Sequence, residues 1–286
     1  MGEREPVAAG VAGTTDIGGD LTVNRLGYGA MRITGAGIWG PPADRDEAMA
    51  VLRRAVELGV TFIDTADSYG PHVSEELIRD VLHPYPEELV IATKGGLERT
   101  GPGRWPINGR PEHLVEACEG SLRRLKLEQI PLYQLHRPDP KVPLADSIGA
   151  LVTLKEQGKI RHIGLSNVSE DQVRSAQRLT PIVSIQNRYN LEDRSSESLV
   201  DLCEQERMVF LPWAPIQDLG GNPLVGRLAR RHGATPRQIV LAWLLARSPS
   251  ILPIPGTATV SHLVDNVAAA AIELTLADIA SLTAAA

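Results

Sequence analysis

A complete strand–helix–strand unit occupies residues 130–167, which are I-P-L-Y-Q-L-H-R-P-D-P-K-V-P-L-A-D-S-I-G-A-L-V-T-L-K-E-Q-G-K-I-R-H-I-G-L-S-N. The apolar runs at 130–136 and 160–167 are typical of strands that are buried on both faces. Between them, apolar residues recur every three or four positions over 144–157, which predicts an amphipathic helix. Two strands joined by a helix pair in parallel, so this unit predicts an α/β fold with a parallel sheet.

The same alternation extends over the whole chain. We predict eight strands, at 25–31, 61–66, 89–94, 130–136, 160–167, 182–187, 209–215 and 251–256. Helices are predicted at 45–58, 73–82, 111–127, 144–157, 170–179, 196–207, 236–246 and 261–271. Eight such units predict a (β/α)8 TIM barrel that forms a single domain over 1–286.

Two features are expected ahead of the first barrel strand. The segment 14–24 contains two short β-like runs around Gly18-Gly19, which predicts an N-terminal β-hairpin that covers the bottom of the barrel. Residues 1–12 are expected to be a flexible tail. At the other end of the chain, the alanine-rich residues 281–286 are expected to form a fraying helix.

Composition excludes several classes of protein. With 43% hydrophobic and 22% charged residues, the chain is neither disordered nor fibrous. The net charge of −6 offers no basic surface to a nucleic acid. Apolar runs such as 239–246 are too short to span a membrane. The first ten residues show no apolar core behind a basic start, so no signal sequence is expected there. The two cysteines, Cys118 and Cys203, lie in helical patterns, so we expect a cytoplasmic protein without disulfides or a structural metal.

Four ionisable side chains follow three neighbouring predicted strands: Asp64, Tyr69, Lys94 and His136. Barrel enzymes carry their catalytic residues at these carboxyl ends of the strands. A tyrosine holds its proton at neutral pH, and a nearby ammonium lowers its pKa by stabilising the phenolate. We therefore expect Tyr69 to be a general acid toward a carbonyl oxygen, assisted by Lys94, which Asp64 orients. His136 would donate to the same oxygen or tune the tyrosine; a plain buried Asp–Lys ion pair is the structural alternative.

A reduction needs a hydride, which no side chain supplies, so a cofactor is expected. Ser166, Asn167 and Gln186 lie at adjacent strand ends, where their polar groups suit the carboxamide of a nicotinamide. Trp213 offers a flat face to its ring. Residues 256–257 precede the last predicted helix, whose N-terminus suits phosphate oxygens. Turn-capping polar residues and a core tryptophan are the structural alternatives.

The glycine pattern at 35–40, G-A-G-I-W-G, matches the dinucleotide fingerprint G-x-G-x-x-G. That fingerprint requires a helix that opens inside it, and Pro41-Pro42 prevents one. We interpret the segment as a loop that carries Trp39 toward the pocket.

Six motifs between residues 27 and 266 resemble those of the aldo-keto reductase superfamily. They are D-T-A-D-S-Y-G, A-T-K-G-G, L-H-R-P, H-I-G-L-S-N, Q-N-R-Y-N and I-P-G-T-x-x-x-x-H-L-x-x-N. The resemblance implies a (β/α)8 barrel and NADPH-dependent reduction of aldehydes or ketones. The catalytic tetrad it implies is Asp64, Tyr69, Lys94 and His136. The cofactor contacts it implies, together with the strand-end reasoning above, are Gly29, Ala30, Met31, Asp64, Ser166, Asn167, Gln186, Trp213, Ala214, Pro215, Ile216, Gly256, Thr257, His262, Asp265 and Asn266. The expected substrate pocket comprises Met31, Arg32, Trp39, Tyr69, Trp105 and His136.

Within the superfamily, the motifs N-R-L-G-Y-G-A-M-R, W-G-P-P and A-W-L-L-A-R-S-P are similar to those of bacterial pyridoxal reductases (pyridoxine 4-dehydrogenase). This implies interconversion of pyridoxal and pyridoxine, with another small aldehyde as the alternative. His262 stands where many members carry an arginine for the 2′-phosphate, so the preference for NADPH over NADH stays open. Arg32 could bind an anionic substrate group or be a surface arginine.

Two other functions are compatible with parts of the pattern. A nicotinamide-binding redox sensor with slow turnover would carry the same tetrad. A Schiff-base aldolase would use Lys94 as its nucleophile, but it would leave Tyr69 and the amide residues without a role. The partner is a small carbonyl compound, and the oligomeric state is left open.

Overall fold

A sheet of seven parallel strands forms the centre of the computed structural model, which describes residues 6–216 and 221–285. In chain order after the N-terminal hairpin, the strands are β3 (Tyr28–Gly29), β4 (Phe62–Asp64), β5 (Val90–Gly95), β6 (Ile130–Leu135), β7 (Ile160–Ser166), β8 (Ser184–Gln186) and β9 (Val209–Phe210). Each pairs with the next one along the chain. Seven of the eight predicted strands are therefore present, although the first and seventh are only two residues long.

The eighth predicted strand, 251–256, is extended backbone rather than a regular strand. Pro253 and Pro255 have no N–H to donate to a ladder, so pairing is reduced to a few bonds. On one side, Leu252 N donates to Phe210 O over 2.9 Å; on the other, Gly27 N donates to Pro253 O over 2.9 Å. These bonds link the last strand of the sheet to the segment before the first, and they close the barrel.

The predicted hairpin is present as β1 (Thr14–Ile17) and β2 (Leu21–Asn24), paired antiparallel. Ile17 and Val23 are buried in one cluster with residues of the barrel interior, so the hairpin plugs the barrel. Its turn is attached to β7, because Asp20 Oδ1 lies 2.6 Å from His162 Nε2. The turn passes so close to the imidazole that a Cβ on Gly18 would lie 2.3 Å from His162 Cε1.

Ten α-helices of the described residues surround the barrel. They are α1 (Arg45–Glu57), α2 (Val73–Leu82), α3 (Pro111–Leu125), α4 (Leu144–Glu156), α5 (Glu170–Gln177), α6 (Glu197–Glu206), α7 (Pro223–His232), α8 (Pro236–Arg247), α9 (Val260–Ala268) and α10 (Leu276–Ala284). The eight predicted helices are all present. Helix α7 was not predicted, and α10 lies where a fraying helix was expected at 281–286, although it begins earlier, at Leu276.

Local side-chain bonds explain where several helices begin. Asp44 accepts from the third backbone N–H of α1. Ser169 with Gln172, and Thr235 with Gln238, form reciprocal capping boxes at the starts of α5 and α8. These residues satisfy N–H groups that the first helical turn leaves without partners, so the helix starts are encoded locally.

The start of the described chain contains a short helical turn. Residues Ala9–Ala12 form a 3-10 helix. Ala9 is fully buried, and its N–H donates to Leu58 O at the end of α1 over 2.8 Å. This hydrogen bond attaches the 3-10 helix to the end of α1. The flexibility of 1–12 stays a prediction. Residues 1–5 lie outside the described part.

Within the described ranges, no single helix has the length and apolar character needed to cross a bilayer. The segments Val260–Ala271 and Leu276–Ala284 pass that test only when taken together, and they meet at 119°. The cytoplasmic location stays a prediction.

Candidate active site

A cavity of about 900 Å³ opens at the carboxyl ends of the barrel strands. Most of the residues predicted for the site line it. They are Gly29, Met31, Arg32, Asp64, Tyr69, Trp105, His136, Ser166, Asn167, Gln186, Trp213, Ala214, Pro215, Ile216, Gly256, Thr257, His262 and Asn266. The strand ends thus bring together residues that are up to 237 positions apart, from Gly29 to Asn266.

Lys94 lies beneath the cavity floor and is completely buried. Its Nζ donates to Asp64 Oδ2 over 2.7 Å, to Thr65 O over 2.9 Å and to the Tyr69 hydroxyl over 3.3 Å. These three acceptors match the three N–H donors of an ammonium. Neighbouring strands β4 and β5 create this arrangement, because Asp64 is in register with Ala92, two positions before Lys94.

Asp64 is held from its other side by two amides. Its Oδ1 accepts from Gln134 Nε2 over 3.1 Å and from Gln186 Nε2 over 2.9 Å. Gln186 was predicted as a nicotinamide contact, and this bond leaves its Oε1 for a ligand. Gln134 was missed, although it lies two positions before His136 and so faces the same side of the strand.

Burial dominates the ionisation of Tyr69. It raises the pKa of the phenol above 10, and the nearby Lys94 charge opposes the shift without cancelling it. The predicted lowering by Lys94 is therefore present but outweighed. Burial is the largest single influence on Lys94 and lowers its pKa, but the charges and hydrogen bonds of Asp64 and Tyr69 together outweigh it, so the net shift is upward. At neutral pH the structure holds a neutral phenol against a charged ammonium.

The ring of His136 stands edge-on to Tyr69, with centroids 5.9 Å apart and an interplanar angle of 82°. Its Nδ1 lies 3.5 Å from Ser68 Oγ. Burial, with smaller contributions from Lys94 and Arg137, holds the pKa of this imidazole well below 6.5. His136 is consequently neutral, and when Ser68 donates to Nδ1, the Nε2–H is available as a donor.

Asn167 occupies a left-handed backbone conformation with φ 58° directly after β7. Its Nδ2 donates to His136 O over 3.1 Å and to Ser166 Oγ over 2.9 Å. Its Oδ1 accepts from Arg137 over 3.2 Å. The amide therefore links the fourth and fifth barrel strands at the rim of the cavity.

On the opposite wall, Trp213 follows β9, and its buried Nε1 has no hydrogen-bond partner. Ala214 has φ 55°, and its carbonyl accepts from Asn190 Nδ2 over 3.1 Å. This bond holds the turn that presents the segment from Trp213 to Ile216 to the cavity.

At the far end of the cavity, Gly29 and Gly256 lie in close contact. A Cβ on either glycine would lie 2.7 Å from a carbonyl oxygen of the opposing segment. Thr257 Oγ1 accepts from Thr259 N over 3.1 Å and shapes the turn into α9. On α9, Asn266 is 98% buried and its Nδ2 has no partner, while His262 is exposed at the rim.

Four predicted site residues do not line the cavity. Lys94 acts from beneath, as described. Ala30 is fully buried, and its carbonyl accepts from Ser74 Oγ. Asp265, on α9, points to the start of α8, where its carboxylate accepts hydrogen bonds from Thr235 Oγ1 and Gln238 Nε2. Trp39 lies 36% exposed on the neighbouring loop.

Arg32 lies beside Gly256, since a Cβ on that glycine would come within 3.6 Å of Arg32 Cγ. Two other arginines, Arg137 and Arg237, line the cavity and were not predicted. Arg237 lies in the first turn of α8, and the packing of α8 against α9 brings it to the cavity. Among the described residues, no cluster of His, Cys, Asp or Glu could hold a metal ion.

Comparison with known proteins agrees with this geometry. The model of the Aldo/keto reductase family matches residues 25–222 and 218–286, so the chain belongs to the Aldo/keto reductase family. It is 47% identical to an uncharacterized oxidoreductase of Schizosaccharomyces pombe, over 94% of this chain and 88% of that one. It is 43% identical to pyridoxine 4-dehydrogenase of Escherichia coli (strain K12), over 90% of this chain and 92% of that one.

A solved structure shows the same architecture. The aldo/keto reductase from Klebsiella pneumoniae, crystallised with NADP and acetate, superposes with a TM-score of 0.78. The two chains are 27% identical, with 94% of this chain and 93% of that one covered. The predicted family, its (β/α)8 barrel, the oxidoreductase class and the similarity to pyridoxal reductases are confirmed. The roles of individual residues and the substrate stay predictions.

Proposed function

We propose that the protein is an NADPH-dependent carbonyl reductase in which Tyr69 protonates the carbonyl oxygen. The observation that carries the proposal is the contact of the buried Lys94 ammonium with both the Asp64 carboxylate and the Tyr69 hydroxyl beneath the cavity. This arrangement stabilises the phenolate that forms when the tyrosine gives up its proton. Membership of the family supports the same reaction class.

The cofactor is NADPH, which when bound supplies the hydride that reaches the carbonyl carbon. The cavity fits such a molecule, since buried donors without partners, Trp213 Nε1 and Asn266 Nδ2, lie on its walls. The NADP complex of the Klebsiella pneumoniae relative supports this assignment.

Residues at the two ends of the cavity would hold different parts of the cofactor. Ser166, Asn167 and the free Oε1 of Gln186 would bind the carboxamide, with Trp213 against the ring. The α9 end would receive the phosphates through Gly256, Thr257, His262 and Asn266. Arg32 and Arg237 add positive charge there.

Proton transfer follows from the geometry of the tetrad. Tyr69 is neutral at physiological pH because burial raises its pKa, so it arrives with the proton that the carbonyl oxygen needs. As the proton leaves, Lys94 at 3.3 Å stabilises the phenolate. Asp64 and Thr65 O keep the ammonium in place. The product alcohol has gained one hydride at carbon and one proton at oxygen, and the reverse reaction uses the same groups.

His136 polarises the carbonyl without carrying a charge. Its pKa lies well below 6.5, so the neutral ring donates a single hydrogen bond to the oxygen. A neutral donor suits a site that already contains the Lys94 ammonium. A second cation would be repelled by that ammonium, and the repulsion is strong in a low-dielectric environment.

The alternative with Lys94 as a Schiff-base nucleophile is disfavoured. A nucleophilic lysine needs a lowered pKa and a free amine. Here the pKa of Lys94 is raised, and Nζ donates to three acceptors.

For the substrate, we propose an aromatic aldehyde, with pyridoxal as the first candidate. Trp105, Leu97 and Ile107 make one wall of the cavity apolar next to Tyr69. The E. coli relative, named pyridoxine 4-dehydrogenase, supports the choice at 43% identity.

The proposal is tested by following nicotinamide absorbance with NADPH or NADH and a panel of aldehydes that includes pyridoxal. Tyr69→Phe is expected to lower turnover by about 10²–10⁴-fold while NADPH affinity is unchanged. Tyr85→Phe is the matched control, since this tyrosine donates to Leu125 O outside the cavity. Near-normal turnover of Tyr69→Phe contradicts the assigned role. Tight NADPH binding without turnover of any aldehyde by the wild type would favour the redox-sensor alternative.

A further inference from the structure

Three loops meet at the substrate side of the cavity, and one arginine lies between them. These loops follow β3, β4 and β5, and they contain residues 35–40, 66–70 and 97–107. Arg99 donates to carbonyl oxygens of all three loops through Nε, Nη1 and Nη2, over 2.5–3.4 Å. The acceptors belong to Gly37, Ile38, Ser68, Gly101 and Arg104. Every nitrogen of the guanidinium is therefore used, in a geometry that only a planar fork provides.

The flat face of the same guanidinium contacts two tryptophans. Its Cζ lies 3.5 Å from the ring centroid of Trp105 and 5.6 Å from that of Trp39. Both distances are within the range of a cation–π interaction. Trp105 is thus held on one face by Arg99, and its ring meets the Tyr69 ring edge-on at 6.4 Å and 87°.

The loop that carries Trp105 has little regular structure of its own. Residues 97–107 contain two glycines and two prolines, and isolated bridges join Leu97 to Ile107 and Gly101 to Arg104. Arg99 also ties this loop to Gly37 and Ser68, which belong to the other two loops. The distance between Trp105 and the proposed acid therefore depends on Arg99.

We infer that Arg99 is a specificity-determining positioning residue. It acts through Trp105, which it holds as a flat wall beside Tyr69, and this wall favours planar aromatic aldehydes over small aliphatic ones. The inference rests on the proposed carbonyl reduction. In the described part of the chain, the hydrogen bonds and ring contacts of Arg99 go to the three loops and the two tryptophans. They reach neither the tetrad side chains nor the α9 end of the cavity, so Arg99 influences where the aromatic ring sits and not the proton transfer.

The test compares Arg99→Lys with wild type on pyridoxal, benzaldehyde and propanal. Lysine keeps the charge but loses the planar fork and the stacking surface. We expect KM for both aromatic aldehydes to rise by about tenfold, with kcat and KM for propanal changed by less than about twofold. NADPH affinity should be unchanged. Arg104→Lys is the matched control. Arg104 belongs to the same loop, but it accepts from Arg99 only through its backbone carbonyl, which the substitution keeps.

Equal losses for all three aldehydes, or no change for the aromatic ones, would overturn the inference. A separate binding measurement distinguishes its failure from that of the proposed function. Pyridoxine is added to the NADP+ complex, and quenching of tryptophan fluorescence gives its affinity without turnover. If wild type reduces no aldehyde, the proposed function fails, while weaker pyridoxine binding in Arg99→Lys still supports the positioning role. Equal affinities in the two proteins refute it.

Discussion

Replacing Lys94 by methionine should affect stability and catalysis through different parts of the same cluster. The substitution leaves Asp64 buried, with 3% of its surface exposed, and without its cation. Breaking a buried ion pair by removing one partner costs about 3–5 kcal/mol. Two amide donors from Gln134 and Gln186 still reach Asp64 Oδ1. We therefore expect the lower end of that range, a loss of about 3 kcal/mol in the free energy of unfolding.

A double variant separates the two effects. Asp64→Asn combined with Lys94→Met removes the unpaired charge while its side-chain oxygen can still accept from the two glutamines, so at least half of the lost stability should return. Activity should not return, because no cation stabilises the phenolate of Tyr69. Loss of one such electrostatic group costs about 10²–10³ in kcat.

The assays are urea unfolding followed by circular dichroism and steady-state reduction of one good aldehyde. The reasoning is refuted if Lys94→Met loses less than about 1 kcal/mol, or if the double variant is no more stable than the single one. It is also refuted if either variant keeps wild-type kcat. Tyr85→Phe again reports the effect of a substitution outside the cluster.

Three further predictions follow from other parts of the molecule. Gly18→Ala should lower the free energy of unfolding by about 1–3 kcal/mol more than Gly19→Ala, as measured in urea. Both glycines have positive φ, but only a Cβ on Gly18 meets the His162 ring. Equal losses of stability in the two variants would contradict this clash. His262→Arg should tighten NADPH binding by up to about fivefold and leave NADH unchanged, measured by fluorescence titration, since it places a permanent charge at the exposed rim. The rate of reduction should show no inflection near pH 6.5, because His136 is neutral above its strongly lowered pKa. The rate should fall only at alkaline pH, where Tyr69, whose pKa is raised, loses its proton. An inflection of kcat/KM near pH 6.5 that disappears in His136→Asn would show that the imidazole titrates there.

The periodicity of apolar residues predicted the barrel, and the elements that it predicted incorrectly differ from the prediction for local reasons. The strand at 251–256 was predicted from its apolar residues, but prolines at 253 and 255 cannot donate to a ladder. Helix α10 lies in the alanine-rich end that was interpreted as fraying. Thr275 and Asp278 cap it, and Thr283 accepts from Trp243 Nε1 over 3.1 Å. The capping box was visible in the sequence; the contact with Trp243 was not.

In the candidate active site, too, some residues were predicted from the sequence and others were found only in the structure. Asp64, Tyr69, Lys94 and His136 were identified from their places at strand ends, and the structure brings them together. Arg99 was missed, because an arginine in a glycine- and proline-rich loop carries no periodic signal.

What the sequence alone determined is the order of strands and helices, the closure into a barrel and the set of polar residues at one end of it. These properties depend on patterns of three to seven residues, which act locally. What the tertiary structure decided is how those residues affect one another: Asp64 held by two glutamines, and a Tyr69 pKa raised by burial despite the Lys94 charge. Burial and neighbouring charges shift a pKa according to which groups are close in space, and the chain order does not show this. In this cluster, side chains with polar atoms 2.7–3.3 Å apart are separated by 25 to 122 positions in the chain.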